Sequence, residues 1–351
     1  MGKKKDNKTK KDKHYPLVSV CTPTYNRRPF IKNMIQCFLN QTYPKYRTQW
    51  IIVDDGTDNV RDLIEEAKIP QIEYFEIDKK MKLGEKRNFM HSKAKGSYIV
   101  YMDDDDYYPP ERIEHAVEML QKNPKALCAG SSELYIYFKH IEKMYQFGPY
   151  GPNHATAGTF AFRKELLSIT HYNNDACLAE EKEFLHNYSI PFIQLNPLKT
   201  ILVFSHNQNT FDKKKLLNNI NPTYVKESNK TIDMFITQPH EEEIKDFFVN
   251  QIDELLKNYA PGEPNMKPDV LKQMKELEIQ RKKIEEEQLA KMNQMKQVQT
   301  ITTKNSDNDN VQLTIHDAVN IMNKQNKEII ELKKKINELE IQMKNKSDEQ
   351  N

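Results

Sequence analysis

The sequence predicts an α/β protein with a mixed, mostly parallel sheet flanked by helices, followed by a helical extension. Three observations carry this. Short apolar runs alternate with amphipathic stretches through the first third of the chain. The connections between them are short, as in βαβ units. Two successive runs end in acids, Asp54-Asp55 and Asp103-Asp104-Asp105-Asp106. In an open α/β sheet the carboxyl ends of the strands are where ligands bind.

Taken in order, residues 17–22 (LVSVCT) read as a strand and 29–40 as a helix with Ile31, Met34, Ile35, Phe38 and Leu39 on one face. Residues 49–53 are a second strand, 59–67 a helix, 72–77 a strand and 84–93 a helix. Residues 98–102 (YIVYM) are apolar without alternation, the signature of a strand buried on both faces. A helix over 111–122 follows, with Pro109 and Pro110 at its start. After Ala126 the pattern is mixed. Residues 134–138, 159–162, 192–195 and 200–205 read as strands and 178–188 as a helix, together extending the sheet and covering the crevice.

Composition narrows the classes. Charged residues make up 30% of the 351 and hydrophobic ones 37%, so part of the length is expected outside a packed core. The net charge of +2 gives no argument for nucleic acid. Residues 1–14 read as a disordered basic tail, and Asp6 stands where a myristoylation signal has Ser or Thr. No apolar run reaches the ~18 residues of a membrane span, and no signal-peptide core is visible. Cys21, Cys37, Cys128 and Cys177 are widely spaced and read as buried free thiols, which points to a reducing, cytoplasmic setting.

Four carboxylates at the end of one buried strand repel one another, and a divalent cation would relieve that repulsion. Oxygen-only ligands favour Mg²⁺ or Mn²⁺, ions that also bind phosphate. A solvated acidic loop or a loose Ca²⁺ site is the alternative.

Four motifs, in order, resemble those of family 2 glycosyltransferases of the GT-A fold. They are Thr22-Pro23-Thr24-Tyr25-Asn26-Arg27, Val53-Asp54-Asp55-Gly56-Thr57, Gly84-Glu85-Lys86-Arg87-Asn88 and the acid run. The resemblance covers about residues 15–212 and implies a metal-dependent, inverting transfer of sugar from a nucleotide-sugar, with a UDP-sugar expected. The acceptor would be a hydroxyl of a glycan, protein or lipid. By resemblance, Tyr25 stacks on the base, Asp55 accepts from a uracil NH and Thr22 lies at the same edge. Arg87 would reach the diphosphate, Asp104 the ribose, and Asp105 would be the main metal ligand. Asp103 and Asp106 would orient the site or hold metal through water. Glu181 falls at the catalytic-base position, where the family more often has Asp, and Glu180 is its alternate. His206 would complete the metal shell. Ala157-Gly158-Thr159 either lets the donor sugar approach the backbone or is simply a turn.

Other readings of the same residues stay open. Asp54 and Asp55 also suit a turn with a helix N-cap, Lys86 and Arg87 an exposed charged face, and Glu180 and Glu181 an acidic first helical turn.

The last third has no counterpart in that resemblance. Residues 213–262 read as a helical extension with an amphipathic helix over 241–259, and 263–304 as a long charged helix. Residues 305–351 read as a linker and a coiled coil. Val311, Ile315, Ala318, Met322, Gln325, Ile329, Leu332, Ile336, Leu339 and Met343 recur at three and four residues. Ile at a and Leu at d favour two parallel strands, so a homodimer or a partner helix is expected. Two other functions suit the pattern less well. A nucleotidyltransferase would carry a Gly-rich first loop, absent from CTPTYNRRP, and a non-catalytic scaffold would be expected to lose an acid of the turn or the Glu pair.

Overall fold

Buried strands of this chain alternate which side chains they send to each face, and that parity fixes two cores. A computed structural model describes residues 14–218, 220–298, 300–304 and 310–348. The expected tail (1–13) and the 305–309 linker lie outside the described residues. The chain divides into two compact units, Met1–Met274 and Lys275–Asn351.

The first unit begins with β1 (Val18–Thr24), α1 (Ile31–Leu39), β2 (Thr48–Asp54), α2 (Arg61–Ala67), β3 (Ile72–Glu76), α3 (Leu83–Lys93), β4 (Tyr98–Tyr101) and α4 (Arg112–Lys122). It continues with β5 (Cys128–Gly130), β6 (Leu134–Phe138), β7 (Lys143–Phe147), β8 (Ala161–Arg163), α5 (Glu181–Phe184), β9 (Phe192–Gln194), β10 (Val203–Ser205) and β11 (Val225–Glu227). The main sheet has the order β3-β2-β1-β4-β8-β5-β9. Its strands are parallel except β8, which runs against both neighbours. This is the mixed, mostly parallel sheet expected of a GT-A fold.

On one face Val20, Trp50, Ile52 and Val100 pack with Phe30, Phe38, Ile113 and Leu120 beneath α1 and α4. Phe38 stacks on Trp50 at 4.2 Å. On the other face Cys21, Ile51, Val53, Ile99 and Tyr101 pack with Met90 of α3 and with Phe160, Phe162 and Phe184. Both faces of β1, β2 and β4 are dry, so their sequences run apolar without alternation. The four cysteines are buried and free.

The structure differs from the sequence reading in several places. The strands at 134–138 and 203–205 do not extend the main sheet. They join β7 and β11 in a second sheet, β10-β6-β7-β11, whose last two members the apolar pattern did not reveal. The 178–188 segment is helical only at α5, because Ala179, His186, Asn187 and Tyr188 take left-handed φ values of 54°, 49°, 54° and 62°. Leu39 is turned outward and Cys37 takes its place in the core. The 241–259 helix consists of α6 (Glu242–Asp246) and α7 (Ile252–Lys257), joined by a π turn at Phe247–Gln251. That turn shifts the phase, so Ile244, Phe247, Phe248, Ile252 and Leu256 are buried and Leu255 is not.

A long helix, α8 (Pro268–Val298), begins in the first unit and runs into the second. In the second unit β12 (Thr300–Lys304) pairs antiparallel with β13 (Asn310–Thr314), and α9 (Ile315–Asp348) follows. Val311 therefore lies on a strand and not in the helical repeat. Thr314 and Asp317 cap α9 reciprocally: the Asp317 amide donates to Thr314 Oγ1 at 3.2 Å, and the Thr314 amide donates to the Asp317 carboxylate at 3.2 Å. Ile329, Leu332 and Ile336 form an exposed stripe. Among the described residues no helix is long and apolar enough to cross a membrane.

Candidate active site

The parallel strands β1, β2 and β4 end side by side, so the turns that follow them share one edge of the sheet. Asn26, left-handed at φ 52°, turns the chain after β1. Its side-chain oxygen accepts from the Asp58 amide at 3.0 Å, which ties this turn to the one after β2. Asn tolerates that backbone without a large penalty. Asp54 is consumed by its own turn. It accepts from the Gly56 and Val60 amides at 2.9 and 3.0 Å and from the Tyr74 hydroxyl at 2.8 Å. Asp55, the next residue, faces the other way into a cleft.

That cleft, of about 170 Å³, is lined by Tyr25, Arg27, Asp55, Lys86, Arg87, Asp103, Asp104 and Asp105. Lys80, Lys267 and Asp269 line it as well. Five of the eleven are cations and five are carboxylates. Lys86 pairs with Asp55 and donates to the Thr24 carbonyl at 2.8 Å. The other Asp55 oxygen accepts from the Met81 amide at 2.6 Å. Each carboxylate oxygen has a second lone pair, so Asp55 can still accept from a ligand. Tyr25 donates its hydroxyl to the Met266 carbonyl at 3.0 Å.

Arg27 joins the acid run to the rest. It donates to Asp105 Oδ2 at 3.1 Å, stands 3.6 Å from Asp104 and donates to the Gln208 carbonyl at 2.6 Å. Burial pushes the Asp105 carboxyl up, but Arg27 and His206 outweigh it and hold the group well below the usual carboxylate range. Burial raises Asp103, Asp104 and Asp106, with Asp105 adding repulsion. One oxygen each of Asp103 and Asp106 is buried with no hydrogen-bond partner. Gly158 lies against this strand end, where a Cβ would meet Asp103 Oδ2 at 2.8 Å. The 157–159 turn thus presses its backbone onto the carboxylate, an approach that needs glycine.

Buried carboxylates with unpartnered oxygens fit a hard divalent cation in their donor chemistry. Yet among the described residues no three His, Cys, Asp or Glu converge closely enough to hold a metal ion. The expected trio of Asp103, Asp105 and His206 is not brought together. His206 Nε2 lies 3.4 Å from Asp105, but the ring is buried behind it, 4.8 Å from Phe30 and 2.7 Å from the Asn209 amide nitrogen. Burial pushes the imidazole down to about 4, so it is neutral. Asp103 is anchored separately, its amide donating to the Tyr108 hydroxyl at 2.8 Å.

The remaining expected residues divide clearly. Thr22 does not line the cleft. Its hydroxyl donates to the Met102 carbonyl at 2.6 Å and accepts from Trp50 Nε1 at 2.9 Å, which uses it to tie β1 to β4. Arg87 stacks on Tyr101 at 4.4 Å and donates Nε–H to Glu180 at 3.0 Å. One of its terminal nitrogens has no partner. Glu180 is thus an ion-pair partner of Arg87. Neither Glu180 nor Glu181 lines the cleft itself; they sit behind Arg87 at the start of α5. Burial, and then the Glu180 charge, push Glu181 up to about 7.

Sequence reasoning missed Lys80, Lys267 and Asp269. Nothing local distinguishes these residues in a chain so rich in Lys and Asp. Lys267 and Asp269 reach the cleft because residues 259–273 return across it, and Lys80, from the connection between β3 and α3, pairs with Asp269.

Residues 19–179 match the model of the family described as Glycosyl transferase family 2. A glycosyltransferase of Bacillus subtilis, named as the putative teichuronic acid biosynthesis glycosyltransferase TuaG, is 33% identical over 119 residues, 33% of this chain and 45% of that one. The chain spans less than half the length of the curated relatives it matches. Among solved structures, S. aureus TarS 1-349 in complex with UDP-GlcNAc aligns at TM-score 0.43 and 17% identity, over 54% of this chain and 59% of that one. The mannosyltransferase PcManGT from Pyrobaculum calidifontis, in complex with GDP-Man and Mn²⁺, aligns at 0.46 and 16%, over 59% and 66%.

Proposed function

We propose that this protein, whose residues 19–179 form a family 2 glycosyltransferase domain, transfers a sugar from a nucleotide-sugar, with UDP-sugar the expected donor, to an acceptor hydroxyl. The observation that carries the reading is a cleft at the carboxyl ends of β1, β2 and β4 in which acids and cations alternate. A nucleoside diphosphate with a divalent ion is itself such an alternation, and it would exchange partners with the cleft at small electrostatic cost.

In this reading Tyr25 offers a ring face to the base and Asp55 accepts from a ring NH. Lys86 and Arg87 face the diphosphate. Arg87 has an unpartnered guanidinium nitrogen to give, and its aromatic sandwich with Tyr101 and Tyr172 aims it. Asp105, with Asp103, would hold Mn²⁺ or Mg²⁺, an ion that proteins commonly bind through only one or two carboxylates, and Asp104 would face the ribose. That ion would supply charge neutralisation for the departing diphosphate.

Glu181, at the start of α5 beside the donor cleft and not in its lining, is the proposed base, where an acceptor hydroxyl would have to reach it. With an ionisation near neutrality it accepts a proton from the acceptor hydroxyl at physiological pH. One base and no covalent intermediate correspond to inversion at C1. Glu180, held by Arg87, keeps the pair from sharing a single role. By the chemistry of a hydroxyl alone, a glycan, a protein and a lipid all qualify as the acceptor.

Thermal melting tests donor binding. UDP, GDP, CDP and dTDP are each added with Mn²⁺ or with EDTA. A ligand at about 100 times its Kd stabilises by ~2.7 kcal/mol, so one of the four should raise the melting temperature by roughly 5–10 °C with Mn²⁺ and by much less with EDTA. No rise with any of the four, with or without metal, would overturn the reading.

A further inference from the structure

The family match stops at residue 179, yet one wall of the cleft comes from residues 259–273. This strap is fastened at five points. Tyr259 donates its hydroxyl to Asp58 at 2.7 Å, and its carbonyl accepts from Gln208 Nε2 at 2.6 Å. The Pro261 carbonyl accepts from Asn26 Nδ2 at 2.8 Å. Met266 receives the Tyr25 hydroxyl. Asp269 pairs with Lys80, and Gln273 Oε1 accepts from the Cys177 and Leu178 amides at 2.7 and 2.9 Å. Gly262 lets the strap lie flat, since a Cβ there would meet Gln208 Oε1 at 2.0 Å and the Asn26 carbonyl at 3.0 Å.

These fastenings place Lys267 in the cleft. Its side chain is only 7% exposed. The nearest polar partner is Thr210 Oγ1 at 3.5 Å, and among the described residues it makes no ion pair. The other lining cations are engaged: Lys86 by Asp55, Lys80 by Asp269, Arg27 by Asp104 and Asp105, and Arg87 by Glu180. Asp104 and Asp105 attract the Lys267 ammonium from beyond ion-pair distance and are themselves paired with Arg27. A buried ammonium with no carboxylate in direct contact is costly, and a ligand phosphate would supply the close charge.

We propose that Lys267, carried by the strap beyond the family segment, binds the diphosphate of the donor and that the strap closes over it. The inference rests on the nucleotide-sugar reading of the cleft. The volume of about 170 Å³ is below the roughly 300–1,000 Å³ of a small-ligand pocket, so a donor enters as the strap lifts, and Lys267 arrives as it closes. The ammonium then adds to the positive charge that Lys86 and Arg87 present to the diphosphate. The alternative is a plug, in which Lys267 holds the place of the nucleotide and opposes binding.

Calorimetric titration of the full chain separates these. The nucleoside diphosphate that binds wild type with Mn²⁺ is titrated into Lys267→Met and Lys267→Arg. A charge-assisted contact of ~1.5–3 kcal/mol corresponds to about a 10- to 100-fold loss in Lys267→Met. Lys267→Arg should restore affinity to within about threefold, and the monophosphate of the same base should lose less than the diphosphate. Melting of the unliganded variants checks that Lys267→Met, which keeps the length of the chain, leaves the fold intact. Unchanged diphosphate affinity in Lys267→Met, or tighter binding as a plug requires, overturns the inference while leaving the transferase reading standing. A wild type that binds none of the nucleoside diphosphates removes both.

Discussion

Glu181 shows how one residue's surroundings set its chemistry. An exposed glutamate ionises near 4.5, whereas burial and Glu180 push this one up to about 7. If it is the base, turnover rises with pH through about 7, because only the carboxylate accepts a proton. Glu181→Gln should abolish that limb and lower turnover by about 10²–10⁴-fold, while donor binding is kept. The same shift has a sign for stability. The folded state favours the neutral acid, so the group costs stability as pH rises from 4.5 toward 7. Glu181→Gln should therefore melt higher than wild type at pH 8, and by a smaller margin at pH 5.5. A melting difference independent of pH, with the activity profile unchanged, would remove Glu181 from this role. Asp54 and Asp55 make the related point that adjacent identical residues can divide labour. Sequence left both as either turn or site, and only the backbone direction, with the Gly56 and Val60 amides on Asp54, settles which faces the cleft.

At the scale of elements, β1, β2 and β4 were legible because two dry faces leave a continuous apolar run, and a run followed by acids marks its own carboxyl end. The 157–159 turn was legible only as a choice. Its packing against Asp103 predicts that Gly158→Ala will displace either the turn or the carboxylate. Activity should fall on the order of a hundredfold, for a stability cost of about 1–3 kcal/mol. Wild-type activity in a folded Gly158→Ala protein would contradict the close approach. The second sheet was not legible, because β7 and β11 are short, half-polar segments, and β11 is an edge strand that pairs with β7 about eighty positions earlier in the chain. The phase of the 241–259 helix was misread at Leu255 because periodicity assumes 3.6 residues per turn and the π turn adds one. The strap escaped notice for the same reason as Lys267, since nothing in its local sequence reveals its contacts with Tyr25, Asn26, Asp58 and Lys80 in the first part of the chain.

For the molecule as a whole, the first unit holds every residue proposed to touch the donor, and the second holds the helical repeat. The stripe of Ile329, Leu332 and Ile336 on α9 is exposed in the single chain, and its a and d pattern suits a second copy. Full-length protein is expected to be a dimer by light scattering and a monomer when residues 311–351 are deleted, with nucleotide binding retained. An unchanged mass on deletion would exclude dimerisation through this segment.

The central claim is that the acid-bearing cleft activates a nucleotide-sugar. Its most direct test is release of nucleoside diphosphate from a panel of UDP-, GDP- and dTDP-sugars, without acceptor, in Mn²⁺, Mg²⁺ or EDTA. Wild type and Asp105→Asn are compared. The account predicts release from one donor that requires the divalent ion and falls to background in Asp105→Asn, where Arg27 and His206 lose their carboxylate partner. Release that persists in EDTA, or that Asp105→Asn leaves intact, would contradict it.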